Sequence, residues 1–111
     1  MSVFSELKHR ICRFEMSPNF PVGGLVRWAE RENLSPELLL EIARQVKAQL
    51  EVELEALQRC GKTSPTTLIQ HEYWCFYAEQ VCGFYRALLH HPESADRLAL
   101  LEKLSGAESN D

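Results

Sequence analysis

A serine-proline pair in the middle of the chain sets up a long helix and constrains the fold more than any other feature. Ser35 is a good N-cap residue, and Pro36 suits the first helical position, where its missing N–H costs nothing. Strong helix formers follow almost without interruption until Gly61, a residue typical of helix ends. These signals predict a long helix at about 36–60.

The same start signal occurs a second time. Ser64 and Pro65 repeat the cap and the proline, and no further proline follows until Pro92, which stops a helix. The segment between them is rich in apolar side chains around most of its circumference, which is typical of a helix covered on several sides. A second long helix is therefore predicted at about 65–90.

Shorter helices are predicted around this pair. In residues 3–15 apolar side chains recur every three or four positions, as expected for an amphipathic helix. Prolines and glycines make 16–24 a predicted loop, and a short helix is expected at 25–32. No segment is predicted as a strand, so the fold class is all-α, with two long helices packed against shorter N- and C-terminal ones. The predicted limits are a single helical domain at 1–104, a last helix at about 94–104 and a disordered tail at 105–111.

Composition and charge exclude several classes of protein. The chain of 111 residues is 45% apolar and 25% charged, which is ordinary for a globular domain. A net charge of −4 provides no positive field that would attract nucleic acid. No apolar run is long enough to span a bilayer, and the first residues lack the apolar stretch of a secretory signal. We expect a cytoplasmic protein with no direct nucleic-acid or membrane partner.

Aromatic residues are concentrated in the second long segment. Six of the ten aromatic residues lie between Tyr73 and Tyr85. This is more apolar surface than a small helical monomer readily buries, and Tyr and Trp are favoured at interfaces, so a homodimer or a protein partner is predicted. The alternative is that these side chains fill the core of a monomer. The candidate contact residues are Trp28, Leu38, Leu40, Tyr73, Trp74, Tyr77 and Tyr85.

Metal binding and catalysis have little support in the residue spacing. His71, Cys75 and Cys82 fall near one flank of the second long helix, and His9 or Cys60 could supply a further ligand. Structural zinc normally needs four closed ligands, commonly from closely spaced pairs, and the chain has no such pair. The middle of a helix offers no free N–H groups for an oxyanion, and no catalytic motif is present. We expect no enzyme activity, no metal and no cofactor.

A degenerate helix-turn-helix at 25–44 is the alternative interpretation. Ala29 and Leu34 fit the small and apolar positions of that motif. Asn33, however, stands where glycine is usual, and Glu32 occupies an apolar position. The second helix opens with leucines and glutamates, and the glutamates repel phosphate. A DNA-associated regulator therefore remains the second hypothesis.

The two long segments resemble a known family of regulators. The stretches SPELLLEIARQVKAQLEVELEAL and SPTTLIQHEYWCFYAEQVCGFYRALL, with the chain's size and acidity, are similar to the small all-helical quorum-sensing antiactivators of Gram-negative bacteria, the QslA type. The resemblance implies a dimer that binds a LuxR-type transcription factor and prevents it from dimerising on DNA. It rests on helix layout, and no functional residue is carried over from it.

Overall fold

The computed structural model describes residues 2–14 and 20–90, and the regular secondary structure there is entirely helical, which confirms the all-α fold class. The four helices are α1 (Val3–Cys12), α2 (Val22–Arg31), α3 (Pro36–Cys60) and α4 (Pro65–Leu89). The two long helices agree closely with the predicted ones. The helix predicted at 94–104 and the tail at 105–111 lie outside the described residues.

Both serine-proline starts form as predicted. The Oγ atom of Ser35 accepts a hydrogen bond from the backbone N–H of Leu38, at 3.1 Å. Ser64 accepts one from Thr67 in the same way, at 3.2 Å. Gly61 ends α3 in the left-handed conformation, with φ 71°, which a residue with a Cβ adopts at a steric cost. Local sequence signals therefore fix the bounds of both long helices.

The predicted loop at 16–24 is wrong in its last three residues, because α2 begins at Val22 and not at residue 25. Gly23 is buried in the first turn of this helix. The preceding residue Phe20 is buried too, and its backbone N–H donates to Oε1 of Gln80, at 3.0 Å. Burial of the helix start against α4 thus outweighs the low helix propensity of glycine.

The N-terminal helix is shorter than the pattern at 3–15 predicts. It ends at Cys12, and Arg13 serves as the C-cap residue. Phe14 lies beyond the helix, where its ring makes edge contacts with Phe20 and with Tyr77, at centroid distances of 5.5 and 5.4 Å. The apolar spacing therefore identified a residue that packs against the core but extended the helix too far.

A seam of buried side chains joins α3 to the rest of the molecule. The helices α3 and α4 are connected by a short turn and pack side by side as an antiparallel hairpin, and α1 packs against both. Leu39, Val46 and Leu50 in the seam of α3 are fully buried. Glu53 follows Leu39 and Val46 at the same seven-residue interval but is acidic, and its carboxylate forms an ion pair with Lys8 of α1, at 2.8 Å.

The hairpin has two halves that differ in burial. Every buried residue of α3 lies between positions 39 and 50, and every buried residue of α4 lies between 77 and 88. We call residues 36–50 and 77–89 the covered half, and residues 51–60 and 65–76 the open half. The side chains of the open half are only partly buried or exposed. The core of the described chain therefore occupies one half of the hairpin.

Candidate protein-binding surface

The end of α1 marks the boundary between the two halves. The thiol of Cys12, in the last turn of α1, lies close enough to Lys8, Glu53 and Cys75 for their charges to affect its pKa. Burial raises the pKa of this thiol to about 11, and Glu53 and Cys75 act in the same direction, while Lys8 opposes them. Contacts of α1 thus reach the level of residues 53 and 75 on the hairpin, where the open half begins.

Large apolar side chains remain exposed in the open half. Val52 of α3 is 65% exposed, and Ile69 and Phe76 of α4 are 46% and 48% exposed. Tyr73 and Trp74 are half-buried and pack against the edge of the core. Exposed apolar side chains of this size are typical of surfaces that bind another chain.

These side chains lie on opposite flanks of α4. Ile69 and Phe76 are seven residues apart, so they share one flank. Trp74 lies about 160° around the helix from Phe76, at 100° per residue. The indole of Trp74 contacts the ring of His71, with centroids 4.4 Å apart. The open half therefore presents two separate apolar surfaces, one around Trp74 and one around Phe76.

Four of the seven predicted contact residues are buried inside their own chain, which removes them from any surface of the folded monomer. Trp28 is 7% exposed and lies beneath the guanidinium of Arg10, at 4.8 Å from the ring centroid. Leu40 is 8% exposed. Tyr77 and Tyr85 are 0% and 2% exposed. The prediction that these four residues contact a partner is therefore wrong for the folded monomer, in which all four belong to the core.

The two tyrosines are buried for the same physical reason, the cover provided by the N-terminal part of the chain. Tyr77 packs against the rings of Phe14 and Phe20. Burial raises the pKa of the Tyr85 hydroxyl, and the nearby carboxylate of Glu30 in α2 raises it further. Both residues therefore hold the N-terminal segments against α4.

Three predicted contact residues keep access to solvent. Leu38 is 43% exposed near the start of α3, and Tyr73 and Trp74 are half-buried in the open half. Sequence reasoning missed Val52, Ile69 and Phe76. The seven-residue spacing of Ile69 and Phe76 was the available signal, but spacing alone does not show which flank the N-terminal helices leave uncovered.

An ion-pair cluster lies beside these surfaces on the covered half. The Glu79 carboxylate lies 2.7 Å from Nζ of Lys47 on α3. It also accepts a hydrogen bond, at 2.8 Å, from the guanidinium of Arg86, seven residues further along α4. These two cations hold the pKa of Glu79 below its ordinary value. The cluster links α3 to α4 outside the apolar core.

The residues considered for metal binding do not form a metal site. Within residues 2–14 and 20–90, no group of three or more His, Cys, Asp or Glu side chains could hold a metal ion. His71 Nδ1 lies 3.1 Å from the carbonyl oxygen of Thr67. Burial raises the pKa of the Cys75 and Cys82 thiols, which disfavours the thiolate form needed for a nucleophile or a metal ligand.

The segment considered for DNA binding has a helix, a turn and a second helix. Asn33 adopts a positive φ of 55° in this turn, a conformation that asparagine tolerates better than most residues. The exposed side chains at the start of the second helix include Glu37, Leu38 and Glu41. Two carboxylates and a leucine at this position do not favour contact with phosphate.

Comparisons with known proteins add no relative from which a role could be taken. No family model, curated protein or solved structure matches this chain. No helix in the described part of the chain is long and apolar enough to cross a membrane. Proposals about function therefore rest on the surface geometry of the hairpin.

Proposed function

We propose that this chain is a small cytoplasmic regulatory protein that works by binding another protein, without catalysis. In the specific form that the family resemblance implies, it is an antiactivator. It binds a LuxR-type quorum-sensing transcription factor and blocks the dimerisation and DNA binding of that factor.

The observation that carries this proposal is the half-buried Trp74 in the open half of the hairpin. Its indole lies against His71 and keeps part of its surface open to solvent. Trp is enriched among the residues that dominate the binding energy of interfaces, because its large apolar body fills a pocket of the partner. Leu38 and Tyr73 are further contact candidates that remain accessible.

Occlusion requires only a difference in affinity. A regulator that binds the free transcription factor more tightly than the DNA-bound dimer shifts the population toward the free form. A tenfold preference corresponds to about 1.4 kcal/mol. Truncation of a single central Trp often costs about 2 kcal/mol or more at an interface, so one anchor residue is enough to make the effect measurable.

The test measures release of LuxR-type receptors from their DNA sites by the purified chain. We expect the wild type to release at least one receptor encoded in the source genome, and Trp74→Ala to need a concentration at least about tenfold higher. Phe76→Ala is the matched control, because it removes an aromatic side chain from the opposite flank of α4.

Two results would contradict the proposal. If the wild type releases none of the receptors, the antiactivator function is wrong. If Trp74→Ala releases a receptor as well as the control does, the Trp74 surface is not the binding site. The same gels include DNA without receptor, and a shift of that DNA by the chain alone would favour the helix-turn-helix alternative at 25–44.

A further inference from the structure

We propose that a cleft between the end of α1 and the start of α2 binds a small aromatic carboxylate. The cleft has a volume of about 360 Å³, which is within the range of sites that hold small organic molecules. Apolar side chains and two arginines line it, and no acidic side chain of the described residues does so. Such a lining suits a ligand with an apolar body and one negative charge.

The apolar walls of the cleft are held in place by the core. Phe20 and Leu25 are buried, and each keeps only an edge open to the cleft. The ring of Phe14 stands edge-on to the ring of Phe20 and to that of Tyr77, so its position is fixed as well. Aromatic rings gain most when they meet other rings at this kind of angle and distance. The walls therefore favour an aromatic body for the ligand.

Arg13 supplies the positive charge that a carboxylate needs. It is the C-cap residue of α1, and its side chain is exposed at the cleft. Within residues 2–14 and 20–90, no carboxylate forms an ion pair with this guanidinium. A guanidinium binds a carboxylate through two parallel hydrogen bonds, which fix the orientation of the ligand as well as attract it.

Arg10 is the second cation of the cleft, but its charge is offset within the chain. Its Nε atom donates a hydrogen bond to the Glu6 carboxylate, at 3.0 Å, and its guanidinium lies 4.8 Å from the ring centroid of Trp28. Two arginines less one carboxylate leave one positive charge beside the cleft. A single charge matches a carboxylate, which is a monoanion, better than a phosphate group, which carries nearly two charges at neutral pH.

A second cleft on the same side of α1 shows why the first one is selective. It is larger, at about 510 Å³, and Arg10 and Arg31 are among its lining residues. Glu6 and Glu32 line it too, so its two positive charges face two negative ones. An anion gains little from such a balanced surface. The cleft with Arg13 is therefore the better anion site of the two.

The cleft is separate from the Trp74 surface. Phe14 packs against Tyr77 in the covered half, whereas Trp74 lies in the open half. A bound carboxylate should stabilise the segment that covers α4, because a ligand that binds only the folded chain raises its stability. Failure of the receptor-release test leaves this inference standing, and loss of carboxylate binding leaves the receptor test unaffected.

The first experiment titrates the chain with naphthoate and follows the backbone amides by nuclear magnetic resonance. We expect a dissociation constant below about 1 mM and shifts concentrated at residues 10–14 and 22–25. Naphthylmethanol is the control that keeps the rings and lacks the charge, and acetate is the control that keeps the charge and lacks the rings. Each control should bind at least about fivefold more weakly than naphthoate.

The second experiment removes the charge from the protein. Arg13→Gln should raise the dissociation constant for naphthoate at least about fivefold, because the paired hydrogen bonds to the carboxylate are lost. Arg44→Gln is the matched control, since it removes an exposed arginine of α3 that does not line the cleft. Circular dichroism confirms that both variants are folded. Saturating naphthoate should also raise the melting temperature of the wild type more than that of Arg13→Gln.

Four results would each overturn the proposed site. They are no binding of naphthoate by the wild type at millimolar concentration, equal binding of naphthoate and naphthylmethanol, equal affinity of Arg13→Gln and Arg44→Gln, and shifts concentrated at residues 69–76. The second result would identify only an apolar patch. The last would place the naphthoate on the open half of the hairpin.

Discussion

Phe76 and Tyr77 are neighbours in the same helix, yet they lie in opposite surroundings. Phe76 is 48% exposed, whereas Tyr77 is completely buried among rings from the N-terminal segment. The same contrast separates the two halves of the hairpin. In the covered half α1 and α2 complete a core. In the open half α1 reaches only as far as Glu53, which pairs with Lys8, and no described residue is fully buried.

The difference shows that apolar content and fold stability are distributed differently along α4. Residues 65–76 include the large apolar side chains of Leu68, Ile69, Tyr73, Trp74 and Phe76, but none of them is fully buried. The stability of the fold therefore comes from the covered half, while the open half keeps its apolar groups available to other chains. The predictions below test this contrast, in order of decreasing effect.

The largest effect is expected from truncation of the buried aromatic residue. Tyr77→Ala should lower the free energy of unfolding by about 3–5 kcal/mol, because it leaves a cavity beneath Phe14 and Phe20. Phe76→Ala should lower it by less than about 1.5 kcal/mol, since half of that side chain is already in water. Urea denaturation of dilute protein measures both. Equal losses would contradict the division into halves.

The corresponding pair on α3 should show the same contrast. Leu50 is fully buried at the end of the covered half, and Val52 is 65% exposed just beyond it. Leu50→Ala should cost about 2–5 kcal/mol, and Val52→Ala should change stability by about 0.5 kcal/mol or less. A Val52→Ala loss close to that of Leu50→Ala would mean that the open half is packed as tightly as the core.

A moderate effect is expected at the helix cap of the open half. Ser64→Ala removes the acceptor for the N–H of Thr67 and should cost about 1 kcal/mol. Ser64→Gly is the matched comparison, because glycine at a cap position costs only a few tenths of a kcal/mol. Thermal unfolding followed by circular dichroism distinguishes the two variants. Identical melting curves for the wild type and Ser64→Ala would show that the cap contributes nothing.

The smallest effect depends on pH. Lys47 and Arg86 hold the pKa of Glu79 below its ordinary value, so their ion pairs stabilise the fold at neutral pH. This contribution is lost as the pH falls from the ordinary carboxyl range through the lower folded-state pKa. Glu79 is 41% exposed, and a pair of this kind contributes about 0.5–1 kcal/mol.

Glu79→Gln tests that contribution. The variant should be less stable than the wild type at pH 7, and the difference should shrink as the pH falls below about 4. Added salt should shrink it at pH 7 as well. A difference that stays constant from pH 7 to about pH 3 would show that Glu79 acts through packing and not through its charge.

Local sequence signals were sufficient to predict the two long helices. The caps at Ser35 and Ser64 and the stop at Gly61 depend only on nearby backbone atoms, so they can be identified without knowledge of the fold. The start of α2 depended on tertiary contacts instead. Gly23 is helical because the first turn of α2 is buried, and the neighbouring residues in the sequence do not predict that burial.

The candidate surface was less predictable for the same reason. An excess of aromatic residues on α4 was evident, but Tyr77 and Tyr85 belong to the core, and Phe76 remains exposed. Which flank is covered depends on where α1 ends and where Phe14 turns inward. Those are properties of the packed chain. Helical spacing therefore identified the helix that carries the surface but not the side chains on it.

Native-state hydrogen exchange along α4 tests the central claim most directly, at a dilution where the chain is monomeric. Amides of residues 78–88 should exchange with opening free energies close to that of global unfolding, because they lie in the covered half. Amides of residues 69–75 should open locally at a substantially lower free energy. Equal protection along the whole of α4 would contradict the account, since it would place both halves of the hairpin in one uniformly packed core.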